Sequence, residues 1–343
     1  MKDCMMEHIC SDEVIHLAYG SDDNYWFYTA ISAASAAFGL AKGYTLRVHL
    51  FDLGVSDDHY AEFVDIVSKG GNRVRCERHQ LGKDAFSNLG AWKGSVATYS
   101  RMFLADLLPE LDWVIYVDGD TLWLGDISKL WKLRDDAYLV MASYDPPPKG
   151  GQKASPEFVW YRERGLKVDP NQYLCMGLML ANLKKMRKDG TTGKCQGFIK
   201  KYPAPRVVDQ TVLNYVCQGG MAQLPSEWGV FSGCHGIADL SDHGCVHYVT
   251  DVPWRRLRLN KLMSDIILLW FSFTQEVLGM DLYKNYYSWW TRMWRRLLFR
   301  ILKANQWAVD IHPYIRGRFR NTYGLPDSVI RHWEQVFHGK SNP

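Results

Sequence analysis

The chain has 343 residues, 47% hydrophobic and 23% charged, an ordinary globular balance with room for one large buried core and an appendage. The formal charge of +4 is unevenly placed: from Trp254 to Pro343 there are 15 Lys and Arg against 6 Asp and Glu, while the first 253 residues carry 26 against 31. A basic character confined to one end points to an anionic surface as the partner of that end and excludes nucleic acid as the partner of the whole chain. Eight cysteines without a repeating spacing exclude a disulfide framework and fit reduced thiols in a cytoplasm; Met1 to Asp12 holds no apolar run long enough for a signal peptide, so secretion is not expected.

Val14 to Tyr19 predicts a first strand, followed by a polar turn at Ser21 to Asn24 and an alanine-rich helix from about Tyr25 to Phe38. Tyr44 to Phe51 predicts a second strand, Asp57 to Ser68 a helix capped by Ser56, and Arg73 to Cys76 a short third strand. Ser95 to Leu107 is expected as a helix, Trp113 to Val117 and Tyr138 to Ala142 as strands, and Pro146 to Gly151 as a loop. Tyr173 to Ala181 predicts an apolar strand, Val208 to Val216 a helix and Cys245 to Val249 a last buried strand. This alternation favours an α/β sheet with helices on both faces.

After Pro253 the composition shifts. Ile266 to Phe273 is apolar but far too short to span a bilayer. From Tyr283 to Trp307 tryptophans and arginines interleave at helical spacing, giving a basic amphipathic face suited to a membrane surface, or to packing on the preceding domain with its tryptophans as core. The expected division is a domain over residues 12–255 and a basic, aromatic-rich helical tail over residues 256–343.

Asp118-Gly119-Asp120 carries the chemistry. It ends the apolar strand at Trp113 to Val117, and the carboxyl edge of such strands is where open α/β sheets bind ligands. Two carboxylates there can share one hard divalent cation, while Gly119 lets the backbone approach a bound group; a metal-bridged diphosphate is the natural ligand. At Gly20-Ser21-Asp22-Asp23-Asn24-Tyr25, the Asp22 carboxylate can accept a uracil imide proton, Asn24 can bond a base or ribose edge, and Tyr25 offers a stacking ring. Arg101, at the end of Ser95-Val96-Ala97-Thr98-Tyr99-Ser100, has a planar fork suited to diphosphate or sugar hydroxyls.

These motifs, in this order over about Val14 to Trp254, resemble the retaining glycosyltransferases of family 8, in the branch of bacterial lipopolysaccharide galactosyl- and glucosyltransferases related to glycogenin. The resemblance implies a GT-A type domain with a Rossmann-like sheet, a UDP-sugar donor, and transfer of galactose or glucose with retention to a hydroxyl of a surface glycan or glycolipid. It implies Mn²⁺, with Mg²⁺ as the alternative, held by Asp118, Asp120 and His247. Imidazole among the ligands favours the borderline ion over a site made only of oxygen. Asp209 and Gln210 correspond to the start of the family's active-site helix, Asp145 to a carboxylate on the donor or acceptor side, and Gly177 to a glycine of the donor site. Covalent and front-side routes to retention stay open. The expected location is cytoplasmic, peripheral on the inner face of the plasma membrane.

Two departures stand out. The family's asparagine two residues before Gly177 is Cys175 here, which leaves the donor sugar open. The phosphate-binding segment after His247 runs Tyr248-Val249-Thr250-Asp251-Val252-Pro253-Trp254 without the usual lysine, and Arg255 or Arg256 is the candidate replacement. Rival readings are a glycan-binding scaffold derived from a transferase and a sugar-nucleotide pyrophosphorylase; the latter needs a glycine-rich basic triphosphate loop that Gly20 to Tyr25 lacks. Cys234, His235, His243 and Cys245 match no structural zinc spacing.

Overall fold

The computed structural model describes residues 12–82, 84–86, 89, 95–145, 155–203, 205, 208–231, 244–249, 252–255, 265–287, 290 and 293. In chain order the elements that place the site are β1 (Glu13–Ser21), α1 (Trp26–Phe38), β2 (Tyr44–Asp52), α2 (Asp57–Lys69) and β3 (Val74–Gln80), then a 3₁₀ segment (Ala97–Met102) running into α3 (Leu104–Leu107). There follow β4 (Trp113–Val117), β5 (Thr121–Trp123), α4 (Ile127–Trp131), β6 (Val140–Tyr144), α5 (Pro156–Glu163), β7 (Leu174–Asn182), α6 (Leu183–Asp189), α7 (Thr191–Lys201) and α8 (Val208–Val216). The last are β8 (Met221–Gln223), β9 (Val230–Phe231), β10 (Cys245–His247), α9 (Asp265–Glu276) and α10 (Leu282–Tyr286).

The main sheet has the order β3-β2-β1-β4-β7-β6-β8. β3, β2, β1 and β4 are mutually parallel, and β7 runs antiparallel between β4 and β6. β7 is buried along its whole length, as its unbroken apolar run requires. Because β2 and β4 flank β1 on opposite sides, the strand order reverses at the β1–β4 boundary, where Leu17 pairs with Ile115 and Ala18 with Tyr116. A crevice opens at the carboxyl ends of two such strands. There Gly20 and Ser21 lead into Asp22, and Val117 leads into Asp118.

One face of the sheet is covered by α1, α2 and α9, the other by the 3₁₀ segment with α5, α7 and α8. The small residues of α1 allow the close approach: a Cβ on Gly70 would lie 2.1 Å from the Ala34 carbonyl oxygen. A separate three-stranded sheet, β5-β10-β9, sits beside the crevice, with His247 opposite Thr121 in the antiparallel β10–β5 pair.

Two expectations meet a different structure. The helix expected over Ser95 to Leu107 is a 3₁₀ turn broken at Phe103 before α3. Local polar side chains compete with the α pattern: Ser95 Oγ accepts from the Ala97 N–H at 3.2 Å, and Ser100 Oγ donates to the Ala97 carbonyl at 2.8 Å. The turn also lies directly on β1, since a Cβ on Gly20 would be 2.5 Å from the Ala97 carbonyl oxygen. The strand expected to reach Val249 stops at His247.

Beyond residue 255, α9 packs into the core shared with α1, burying Trp270 and Phe273 completely and setting Phe273 against Phe38 at 6.0 Å. Each such ring contributes about 2–3 kcal/mol of hydrophobic stabilisation. Tyr287 Oη donates to the carbonyls of Pro253 and Arg255 at 2.9 and 3.2 Å, so the described part of the tail braces the segment that carries Trp254. Among the described residues no helix is long and apolar enough to cross a membrane. The expected loop at Pro146 to Gly151, Arg256, the group from Cys234 to His243 and residues 294–343 lie outside the described residues.

Candidate active site

The crevice between the β1 and β4 ends forms a cleft of about 580 Å³. Of the residues expected from sequence, Gly20, Asp22, Asn24, Tyr25, Arg101, Asp118, Gly119, Asp120, Asp209 and Gln210 line it. Asp145, Gly177 and His247 stand behind this lining and support it. Asp22 Oδ1 accepts from the Asn24 N–H at 3.0 Å in an Asx turn, while its backbone carbonyl takes the Tyr25 and Trp26 N–H groups as α1 begins. The start of α1 has no side-chain cap, and Oδ1 serves the turn.

His247 comes from the small sheet and the two aspartates from the end of β4. Its Nε2 lies 3.1 Å from Asp120 Oδ1 and 3.7 Å from Asp118 Oδ2, and the three ligand atoms lie within 4.8 Å of one another. Tyr248 N–H donates to the Asp120 carbonyl at 2.8 Å, tying β10 to the loop. Burial pushes the Asp118 carboxyl up to about 6, against the pull of Arg101 and His247. Burial also opposes charge on His247, but the Asp120 carboxylate outweighs it and holds the imidazole proton well above its ordinary range. Two carboxylates and an imidazole converging on one point fit a divalent cation, whose charge would replace that proton.

Gly177 explains why the imidazole can come so close. The β6–β7 register shifts there: Ala142 pairs with Met179 but the next residue, Ser143, pairs with Cys175, so Met176, Gly177 and Leu178 have no β6 partner beside the Asp118 to Asp120 loop. These residues skip pairing with β6 alone, since Leu178 stays paired with Val117 of β4; the Gly177 carbonyl accepts from Asp118 N–H at 2.8 Å, and a Cβ at this position would sit 2.2 Å from His247 Cε1 and 2.9 Å from Asp118 Oδ2. Gly119 is packed equally tightly, its missing Cβ lying 2.3 Å from Thr29 Oγ1.

Arg101 sits beneath the cleft floor, 4% exposed. Its Nη2 donates to Asp118 Oδ1, its Nε faces Asp209 Oδ2 at 3.0 Å, and its guanidinium lies over the Tyr116 ring. Asp209 Oδ1 also accepts from Thr98 Oγ1 at 2.7 Å, while Oδ2 is held by the ion pair with Arg101 and takes no hydrogen bond. Gln210, the next residue of α8, donates from Nε2 to Asp145 Oδ2 at 2.9 Å and accepts the Met176 N–H at 3.3 Å. Burial raises the Asp145 carboxyl to about 6. Cys175 does not line the cleft; it is buried with Sγ 3.9 Å from His247 Nδ1.

Sequence reasoning gave no role to Tyr28 and Trp254, which wall the Tyr25 end of the cleft: their rings stack at 3.9 Å, with Tyr25 edge-on to Trp254 at 6.0 Å. The signal was the i,i+3 spacing of Tyr25 and Tyr28 on one helix face. Arg255 also lines the cleft.

Residues 16–257 match the family model described as Glycosyl transferase family 8. The chain belongs to that family. Within it, General stress protein A of Bacillus subtilis (strain 168) is 26% identical over 224 residues, covering 63% of this chain and 74% of that protein. The lipopolysaccharide 1,2-glucosyltransferase of Escherichia coli (strain K12) is 25% identical over 238 residues, covering 66% of this chain and 65% of the relative, so the match spans just under two thirds of that enzyme. A solved galactosyltransferase, LgtC in complex with donor and acceptor sugar analogues, superposes with a TM-score of 0.56 at 23% identity over 71% of this chain and 90% of its own. The fold is thus of the GT-A glycosyltransferase type, and membership of the family makes the chain a glycosyltransferase that uses a nucleotide-sugar donor and a glycan acceptor.

Gly177→Ala is expected to displace the His247 ring and lower Mn²⁺ affinity by about 10- to 100-fold, the range found when groups that orient metal ligands are disturbed. Electron paramagnetic resonance of free Mn²⁺ reads this; unchanged affinity in a folded variant would remove Gly177 and His247 from the metal site.

Proposed function

We propose that the protein transfers a hexose, galactose or glucose, from a UDP-sugar to a hydroxyl of lipopolysaccharide or another surface glycan, with retention at the anomeric carbon. The observation that carries this reading is the convergence of Asp118 and Asp120, with His247 behind them, on the cleft that Asp22, Asn24 and Tyr25 also line. The lipopolysaccharide glucosyltransferase among the relatives supports the acceptor class.

In this reading uracil pairs with Asp22 and stacks near Tyr25. Asp118, Asp120 and His247 hold Mn²⁺, with Mg²⁺ as the alternative, and when bound the ion supplies Lewis-acid stabilisation to the departing diphosphate. Arg255, at the mouth of the cleft, takes the place of the family's lysine toward that diphosphate. Asp209 is committed to Arg101 and Thr98, which leaves Gln210 as the α8 group facing the sugar. Fixed by Asp145 and the Met176 N–H, the Gln210 amide orients the ring without being consumed. The C1–O bond to diphosphate breaks, the acceptor oxygen bonds to C1, and the acceptor proton passes to a diphosphate oxygen, so no side-chain base is required.

Asp120→Ala is expected to reduce Mn²⁺-dependent hydrolysis in a panel of UDP-sugars at least about a hundredfold while preserving the thermal transition, because ion affinity and leaving-group stabilisation are lost together. Wild-type turnover in that variant would sink the metal assignment, and no UDP release by the wild-type protein from any UDP-sugar would sink the donor assignment.

The tail's excess of basic residues, together with Trp290 at 62% exposure, supports a contact with an anionic membrane surface. Full-length protein should float with anionic vesicles at low salt, and truncation after Tyr287, which keeps the brace on Pro253 and Arg255, should release it. Equal flotation of the two forms would contradict the tail's role.

A further inference from the structure

Three histidines form a hydrogen-bonded chain across β1, β2 and β3, outside the cleft. His16 Nδ1 lies 2.9 Å from His49 Nε2, and His49 Nδ1 lies 3.0 Å from His79 Nε2. Glu77, in register with His49 and two residues before His79 on the same strand face, brings Oε2 to 3.3 Å from His49 Nδ1. All four side chains lie on the face alternate to Leu17, Val48 and Leu50.

We propose that His49, Glu77 and His79 form a second metal site, suited to Zn²⁺, with His16 orienting His49. Their ligand atoms lie within 4.8 Å of one another. Tetrahedral zinc with Zn–N distances of 2.0–2.1 Å needs ligand atoms about 3.3 Å apart, close to the 3.0 and 3.3 Å separations found here. The outer contacts are those a zinc ligand needs. In the metal-bound form His49 would donate its Nε2–H to His16 Nδ1, 2.9 Å away, and turn the Nδ1 lone pair toward Glu77 and His79. Arg47 Nε holds the other Glu77 oxygen, Oε1, at 3.3 Å, leaving Oε2 for the ion. Burial first, and the charges around the cluster second, lower the imidazole pKa values, to about 4 for His16 and about 3 for His49, so these rings are neutral. His49 is almost fully enclosed whereas Glu77 is 42% exposed, which gives the ion an entry side and a place for a water as fourth ligand.

None of these residues lines the cleft, and the proposal does not depend on the donor or the reaction. The chemistry is that of a structural or regulatory ion which ties the edge strand β3 to β2 and β1. Two ligands on β3 and one on β2 make the ion a clip on the sheet edge.

The test uses full-length protein carrying Asp118→Asn and Asp120→Asn, stripped with a chelator and titrated with Zn²⁺ alone against a chromogenic chelator, and with Co²⁺ followed by its visible absorption. One equivalent of Zn²⁺ and a four-coordinate Co²⁺ spectrum are expected. His79→Gln in that background should lower Zn²⁺ affinity at least about a hundredfold and abolish the spectrum. Glu77→Gln, at the exposed edge, should lower it at least about tenfold with an unchanged circular dichroism spectrum. In the background with both cleft carboxylates intact, the same substitutions should remove one equivalent of Zn²⁺. Absence of Zn²⁺ binding by the double variant in its folded state, or Zn²⁺ affinity and Co²⁺ spectrum unaltered by Glu77→Gln, overturns the proposal. Should His79→Gln not fold, Glu77→Gln decides alone.

Discussion

The arrangement of the cleft depends on one buried cation. Arg101 lies between Asp118 and Asp209, with its guanidinium over Tyr116, and without it Asp209 would be buried with no countercharge while Asp118 would keep only His247. Removing one partner from such a buried group costs about 3–5 kcal/mol, far more than a surface pair contributes. The constraint reaches in two directions. Toward β4 it fixes one oxygen of Asp118 and leaves Oδ2 for the side where His247 stands; toward α8 it anchors Asp209 and so sets the position of Gln210 at the next residue. One guanidinium thereby registers the Asp118 to Asp120 loop against the helix that carries Gln210.

The three candidate metal ligands come from two sheets, which explains features that otherwise look unrelated. β4 delivers the aspartates at the switch point of the main sheet, and β10 delivers His247 by pairing with β5, the strand that immediately follows Asp120. The register shift between β6 and β7 closes the space between them, and Gly177 is what the space permits. A similar economy holds at the other end of the cleft. Trp254 is held by stacking on Tyr28 and by the two hydrogen bonds that the Tyr287 hydroxyl donates to the carbonyls on either side of it, so residues beyond the main sheet shape this wall of the cleft.

Much of this was legible in the chain because period and position suffice for it. The apolar run at Trp113 to Val117 could end only at a sheet edge, which placed Asp118 and Asp120, and the alternation of strands and helices gave the α/β class. What was not legible depended on distance across the fold. The 3₁₀ turn that carries Arg101 reflects the packing of its Ala97 carbonyl against Gly20, seventy-seven residues before Ala97, in a chain whose local pattern reads as helix. The burial of α9 needs the facing surface of α1, and nothing in Ile266 to Phe273 names that partner. The His16, His49 and His79 chain is spread over three strands, and Glu77 and His79 read in isolation as polar residues of an edge strand; only the parallel register puts His49 beside them.

The central claim is that Asp118, Asp120 and His247 hold one divalent cation beneath the donor diphosphate. Anomalous scattering at the manganese edge, from crystals grown with Mn²⁺ and UDP, tests it most directly. The account predicts a strong peak within coordinating distance of carboxylate oxygens of both aspartates and of His247 Nε2, adjacent to the diphosphate. A diphosphate bound in the cleft with no manganese peak among those three residues would contradict it.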